Sequence, residues 1–562
     1  MLQIFITNNI RIRGASTPLR AAVTKALTIE NPAYKKAKRI GKRAWGIDPR
    51  LELFVYDQGD IVAPRGFQEE LEGILKTLGY DPDKVISTRQ TEGHIVQFGW
   101  AEGWTLRSYQ QPFVDAVKQK NGVGIAPAGS GKTIMGLRYI SEKSRPALWL
   151  THTTDLMYQT AEKARKLLPE VGNIGFFGDG KHDWGSGKLI IATVQTLQKN
   201  THLIDAMNEF VGTVVIDEAH HFPAVQFVDT AGRFKAKNML GVTATPDRKD
   251  GLEAYMYRGI GPQLHRVGRD DLYGSGELIK PEVKFIYTDF DYETASDRNE
   301  LNSVEAGGDD LDYVDLTRKL IADEKRAKLV AETIVESFPL GPAIVITESV
   351  RYCYILQKLV NEMLLQQYGP TYYGKPYKTA VVHGGISRYK WQYTNSGNVV
   401  EEKQETKNGK TRTKYKVENY TAEEFEAWQI TPAQRKDIMA AADRKEIDIL
   451  FATQLAREGL DMPHLTTGHM VMPKRGDEGS KASGGSVEQE IGRIQRKDPN
   501  NPEKKAIWFD YVDYNVGVFK QQYQSRRSVY KRLGIKLPKK PRTEKDEIED
   551  FLNSGMYFDL PY

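Results

Sequence analysis

The chain has 562 residues, 27% of them charged and 40% hydrophobic, with a net charge of +5 at pH 7. That length exceeds one hydrophobic core and calls for two to four domains. Cys353 is the only cysteine, which excludes an internal disulfide and a thiolate metal cluster and fits an intracellular setting. No apolar run nears the roughly 20 residues of a membrane helix. The opening Met1–Asn8 lacks the basic region and apolar core of a secretory signal. The expectation is a cytoplasmic protein with no membrane partner. Its mild positive charge permits a polyanionic partner without requiring one.

Residues 1–95 read as a small α+β domain. Leu2–Ile6 and Leu51–Tyr56 alternate as strands, and Gln58-Gly59-Asp60 signals a turn before Ile61-Val62. Phe67, Leu71, Ile74 and Leu75 share one helical face. Between these elements lies a basic run, Lys35, Lys36, Lys38, Arg39, Lys42 and Arg43, flanked by Tyr34 and Trp45. Such a run suits phosphate contacts with a nucleic acid. It also suits a solvated surface.

Residues 96–285 carry a series of strand-end motifs. Arg107-Ser108-Tyr109-Gln110 opens it. The Gln110 amide can donate to and accept from an adenine edge, with Arg107 stacking on the base or holding the loop. Gly124–Thr133 follows, a short apolar strand running into Ala128-Gly129-Ser130-Gly131-Lys132-Thr133 and then a helix. Gly129 and Gly131 let backbone amides approach an oxyanion, and the helix N-terminus adds partial positive charge. Lys132 supplies a cation for the β- and γ-phosphates of ATP, and the Thr133 hydroxyl suits Mg²⁺. Ala147–Thr151 and Leu189–Thr193 are buried strands ending in threonines that can donate to phosphate or simply cap helices. Thr213–Ile216 is a β-branched central strand, and Asp217-Glu218 sits at its carboxyl end, where open α/β sheets bind ligands. Adjacent acids in a dry site ask for a cation. Asp217 is therefore the Mg²⁺ residue, and Glu218 the one that orients water. Leu240–Thr243 ends another strand, and its hydroxyl can link Glu218 to a nucleic-acid path.

Residues 286–325 are acidic and turn-rich, a solvated connector. Residues 326–535 form a second αβ series with strands near Ala343–Thr347, Val381–His383 and Asp448–Thr453. An inserted segment, 388–430, contains Asn408-Gly409, a hairpin signal. Its lysines alternate with Tyr415 and Val417, as in a basic ribbon that grips or parts a duplex, or a plain surface elaboration. Gln489, Arg493 and Arg496 fall on one helical face, from which guanidinium groups can reach a γ-phosphate. Residues 536–562 form a C-terminal tail, acidic and then aromatic.

The ordered motifs A-x-x-G-x-G-K-T, D-E-A-H (217–220), T-A-T (243–245) and Q-x-x-G-R-x-x-R (489–496) resemble the superfamily 2 helicases of the XPB/UvsW type over about residues 104–500. The resemblance implies an α/β fold with two RecA-like parallel-sheet motor domains and the small N-terminal α+β domain as a duplex-binding module. It implies that Gln110 reads adenine and that Gly459, Asp461 and Gln489 serve the nucleotide. His220, Thr243 and Thr245 would couple hydrolysis to movement, and Thr151, Thr193, His383 and Thr453 would touch nucleic acid. Asp217, Glu218, Lys132, Arg493 and Arg496 would carry catalysis. The implied protein is a monomeric, ATP- and Mg²⁺-dependent helicase of a bacterial or virus-infected cell. It would act on single-stranded and branched duplex DNA in recombination or repair, with an RNA–DNA hybrid as a further substrate. A duplex translocase that does not unwind, and the motor subunit of a restriction or repair complex, are the competing readings.

Overall fold

The computed structural model describes residues 2–39, 45–127, 129–219, 230–244, 252–291, 311–392, 398–407, 410–453, 462–476 and 487–538. The chain divides into two compact units, residues 1–277 and 278–562. The architecture is α/β, with a small antiparallel module and two parallel sheets.

The first unit begins with a five-stranded sheet. Strands Gln3–Ile6, Asn9–Arg13, Asp60–Pro64 and Val55–Asp57 pair antiparallel, and Ile86–Thr88 adds a parallel edge. Alternation decides the faces: Ile4, Ile6, Ile10 and Ile12 all point into the core. Helix Gln68–Thr77 covers that face with Leu71 and Leu75. Leu51–Tyr56, read as one strand, is two. Arg50–Glu52 pairs with Thr28–Glu30, and Val55–Asp57 joins the main sheet. The break at Leu53-Phe54 has a packing reason, because both side chains turn into the core there.

The second layer of this unit is an eight-stranded sheet. Its strands run in the order Lys181–Asp183, Gly175–Gly178, Leu189–Thr193, Ala147–Thr151, Thr213–Asp217, Asn238–Thr243, Gly122–Ile125 and Gln263–Arg266. All pairs are parallel except the one at the Lys181–Asp183 edge. The central strands are buried along their whole length, as continuous apolar runs covered on both faces require.

The second unit holds a six-stranded, all-parallel sheet. Its order is Glu282–Tyr287, Ile507–Val512, Thr467–Met470, Ala343–Ile346, Ile449–Ala452, Thr379–Val382. Its first strand straddles the boundary read at 285/286: Glu282–Phe285, assigned by sequence to the first domain, belong to this sheet, where Val283 and Phe285 pack against the core. Helix Leu311–Ala322 also packs, through Leu316 and Leu320 against Phe290 and Phe519, so this part of the connector is not a solvated spacer. Asp289, at the strand's exit, is described, whereas 292–310 lie outside the described residues.

The inserted segment forms a three-stranded antiparallel ribbon, Tyr389–Gln392, Lys410–Glu418 and Val399–Lys407. Asn408 and Gly409 lie outside the described residues, but Lys407 pairs with Lys410, as a two-residue connection demands. By sequence the three strands carry seven Lys and Arg against four Glu, so the ribbon is basic, but part of that charge is paired. Lys416 pairs with Glu401 at 2.9 Å, Lys414 with Glu405 at 3.5 Å and Arg388 with Glu418 at 3.0 Å. Reading only the lysine strand hid the acidic strand opposite it. Among the described residues no helix is long and apolar enough to cross a membrane.

Candidate nucleotide site

Parallel register gathers the motifs of the first unit on one sheet edge. Thr193 lies beside Thr151, Asp217 beside Val242, and Thr243 beside Ile125. Each motif therefore sits at the carboxyl end of its strand, and the phosphate loop leaves the neighbouring strand Gly122–Ile125.

The loop turns on two glycines. Gly129 and Gly131 both have φ of 82°, a left-handed backbone that favours glycine. A Cβ on Gly131 would also lie 2.6 Å from the Gln110 amide nitrogen. Helix Lys132–Lys143 starts immediately after, so its free amides face the loop. Ala126 N–H donates to the Thr243 carbonyl at 2.9 Å, tying the loop's entry to the neighbouring strand end.

Lys132 Nζ lies 3.2 Å from Glu218 Oε1. Asp217 is buried, and burial together with the neighbouring Glu218 carboxylate pushes its pKa up to about 7. Lys132 acts in the opposite direction. The Glu218 backbone has φ of 46°, strained for a residue with a side chain. Strain at such a position is tolerated where surroundings over-determine it. Here Glu218 N–H donates to Asp217 Oδ1 at 3.0 Å, and Glu218 Oε2 accepts from Ala244 N–H at 3.4 Å.

These groups suit a nucleoside triphosphate and a divalent cation. Ser130 Oγ is buried with no hydrogen-bond partner among the described residues, beside loop amides able to meet an oxyanion. Asp217 and Glu218 offer adjacent hard oxygen donors, and Thr133 begins the loop helix half-buried.

Gln110 departs from the expected adenine reader. It is buried; its Nε2 donates to the Ser130 carbonyl at 2.9 Å and its Oε1 accepts from Arg107 N–H at 3.1 Å. The amide is thus spent on the loop backbone. Tyr109, which sequence reasoning passed over, donates its hydroxyl to the same carbonyl at 3.1 Å. Arg107 donates to the Tyr109 hydroxyl and pairs with Glu277 at 2.8 Å. Tyr109 stood inside the motif already singled out, whereas Glu277 gave no local signal.

Other positions divide. Thr151 and Thr193 are closed to solvent, with Thr193 Oγ1 2.8 Å from Thr196 Oγ1. In the second unit Thr453 N–H donates to the Val382 carbonyl at 3.1 Å, which sets Thr453 and His383 on one sheet edge. His383 is fully buried, with Nε2 2.9 Å from the Trp428 carbonyl and Nδ1 accepting from Gly385 N–H. Both ring nitrogens are engaged within the second unit. Helix Val487–Ile494 buries Val487, Ile491 and Ile494 and leaves Gln489 and Arg493 half-exposed. Arg496 lies beyond that helix, in a bridge to Leu278. The helical face therefore ends one turn earlier than the spacing suggested. Burial lowers the Arg496 pKa to about 10.

Lys35, Lys36, Lys38 and Arg39 belong to helix Pro32–Arg39. Lys35 pairs with Glu30 at 3.1 Å, Lys38 is exposed, and Trp45 stands 96% exposed. The side chains of Lys36 and Arg39, and all of Lys42, Arg43, Ala128, His220, Thr245, Gly459 and Asp461, lie outside the described residues.

Fold and site together define a P-loop protein whose phosphate loop faces an acidic strand end in a parallel sheet. Residues 103–248 match the family model "Type III restriction enzyme, res subunit", and 392–498 match "Helicase conserved C-terminal domain". The chain is 30% identical over 183 residues to "DNA 3'-5' translocase XPB2" of Sulfurisphaera tokodaii, covering 32% of this chain and 40% of that one. It is 23% identical over 484 residues to "Putative ATP-dependent RNA helicase L396" of Acanthamoeba polyphaga mimivirus, covering 83% and 76%. The solved structure of T4 UvsW aligns over 95% of this chain and 97% of its own at 13% identity and a TM-score of 0.36. Over these segments the chain is similar to helicases, and to XPB-type DNA helicases and translocases in particular. Its matches span about a third of the length of the first curated relatives, 30% and 40%.

Proposed function

We propose that this chain is an ATP-dependent DNA helicase or translocase acting on branched or duplex DNA in repair or recombination. The observation that carries the reading is the meeting of Lys132 with Glu218 beside a buried Asp217, at the mouth of the glycine loop. Loop amides and Lys132 hold the triphosphate. Glu218 orients the attacking water and takes up its proton. Thr133 and Asp217 would hold Mg²⁺, which supplies charge neutralisation on the phosphate oxygens. Arg493 and Arg496 meet the γ-phosphate, and Gly459, Asp461 and Gln489 serve the nucleotide. Thr243 and Thr245, with His220, couple hydrolysis to movement. The strand ends that carry Thr151, Thr193 and Thr453 lie along the nucleic-acid path, and helix Pro32–Arg39 with Lys42 and Arg43 adds phosphate contacts.

The name of the XPB2 relative supports a DNA substrate and that of the mimivirus relative an RNA one. ATPase stimulation compared across single-stranded DNA, duplex, fork, four-way junction, RNA and RNA–DNA hybrid decides between them. Strongest stimulation by RNA alone refutes the DNA reading. Triplex displacement without fork unwinding assigns the translocase form.

A further inference from the structure

The N-terminal module is set into the first motor domain by a buried arginine. Arg65 is 4% exposed, and its guanidinium donates to three backbone carbonyls, those of Phe234 at 3.4 Å, Ala236 at 2.7 Å and Lys237 at 3.3 Å. All its hydrogen-bond partners among the described residues are carbonyls; none is a carboxylate. Burial alone lowers its pKa to about 10. A buried cation without a counter-ion is a poor way to gain stability, since an apolar side chain would fill the space without the desolvation cost. What the guanidinium does supply is geometry: a planar fork that fixes three carbonyls at once.

The seam around it is closed. A Cβ on Gly66 would lie 2.4 Å from the Tyr257 carbonyl oxygen and 2.5 Å from that of Arg258. Arg258 lies over the Phe67 ring at 5.1 Å and pairs with Glu70. Asn8 donates to the Gly232 carbonyl at 2.8 Å. The three clasped carbonyls belong to the segment that feeds strand Asn238–Thr243. Asn121 holds the same point, donating to the Lys237 carbonyl at 3.0 Å and accepting from Met239 N–H at 2.7 Å. Six residues on, the strand ends where Thr243 meets the phosphate loop and Ala244 meets Glu218. The strand is laddered on both edges and buried from Met239 to Thr243, a rigid element of the kind that can couple two sites.

We infer that Arg65 is a positioning residue: it ties the N-terminal module to the strand that sets Glu218, so that duplex held by the module is registered at the hydrolysis site. This rests on the DNA-motor reading above. The module is then a fixture of the first motor domain rather than a tethered grip.

The test uses the full chain with Arg65→Met, which keeps much of the stem and removes the donors. ATPase kcat is measured without DNA and with saturating duplex, alongside duplex Kd and the melting midpoint. The stimulation ratio should fall by about fivefold or more, the lower range of coupling between linked sites, while DNA-free kcat and duplex Kd stay within about twofold. Arg258→Ala loosens the same seam without touching the clasped carbonyls and should keep the ratio. Equal loss of kcat with and without DNA in Arg65→Met overturns the inference, as does an equal fall of the ratio in Arg258→Ala. A wild-type chain that hydrolyses ATP with no response to any DNA refutes the DNA-motor reading itself, and this inference with it. Should Arg65→Met not fold, Arg65→Lys, which keeps the cation but loses the fork, is judged by the same ratio.

Discussion

At the scale of single residues, the nucleotide site is a matter of charges and donors with defined neighbours. Lys132→Ala removes the cation beside Glu218, and Glu218→Gln keeps its shape while removing its charge. Each should lower ATP turnover by about 10²-fold or more and leave duplex Kd within about twofold; turnover within tenfold of wild type in either refutes the roles assigned. Gln110 makes a different prediction because its amide holds the loop. Gln110→Ala leaves the Ser130 carbonyl with Tyr109 alone. One such hydrogen bond contributes about 1 kcal/mol, so ATP affinity should weaken by roughly fivefold without regard to the base. If the variant instead loses its preference for ATP over GTP, the side chain reads adenine after all.

At the scale of elements, burial separates ion pairs that matter from those that do not. In helix Gly517–Arg532, Arg526 lies fully buried against Asp510 of strand Ile507–Val512 at 2.9 Å, with Tyr530 donating to the same carboxylate at 2.7 Å. The Lys416–Glu401 pair on the ribbon is half-exposed. Asp510→Ala should destabilise the second unit by about 3–5 kcal/mol in urea unfolding, against about 0–1 kcal/mol for Glu401→Ala. Helical spacing puts Arg526 on the buried face with Phe519, Tyr523 and Tyr530. His469 in strand Thr467–Met470 adds a pH dependence. It is buried, 3.0 Å from the Ser337 hydroxyl and 3.0 Å from the Tyr511 hydroxyl, and burial lowers its pKa to about 3. Its folded pKa lies below the unfolded value, so the unfolded chain takes up the proton first and stability falls as pH drops below about 6.5. Between pH 7 and 5 the loss should be about 2 kcal/mol, absent in His469→Gln. A wild-type chain with the same pH slope as that variant would show the ring to be accessible.

At the scale of the whole molecule, charge is nearly balanced, so nucleic-acid affinity depends on where cations sit rather than how many there are. In the ribbon of the inserted segment Lys414 and Lys416 are paired with glutamates, whereas helix Pro32–Arg39 presents Lys38 to solvent. Replacing Lys35 and Lys38 by Ala should weaken duplex binding across all sequences alike, and flatten the dependence of log Kobs on log salt by about one to two. An unchanged slope would place the duplex elsewhere.

The order of motifs was legible because each is chemistry at fixed spacing: glycines where a loop must turn left-handed, a lysine at a helix start, two acids after a β-branched strand. The parallel α/β class was legible for a related reason, since strands buried on both faces read as unbroken apolar runs. Partnership was not. That Gln110 grips the loop, that His383 is buried, that Arg526 meets Asp510, that the ribbon's lysines face glutamates, and that Arg65 clasps carbonyls 169 to 172 positions away follows only from strands brought side by side. Local sequence sets what a side chain can donate or accept; the tertiary fold decides which group stands within reach to receive it.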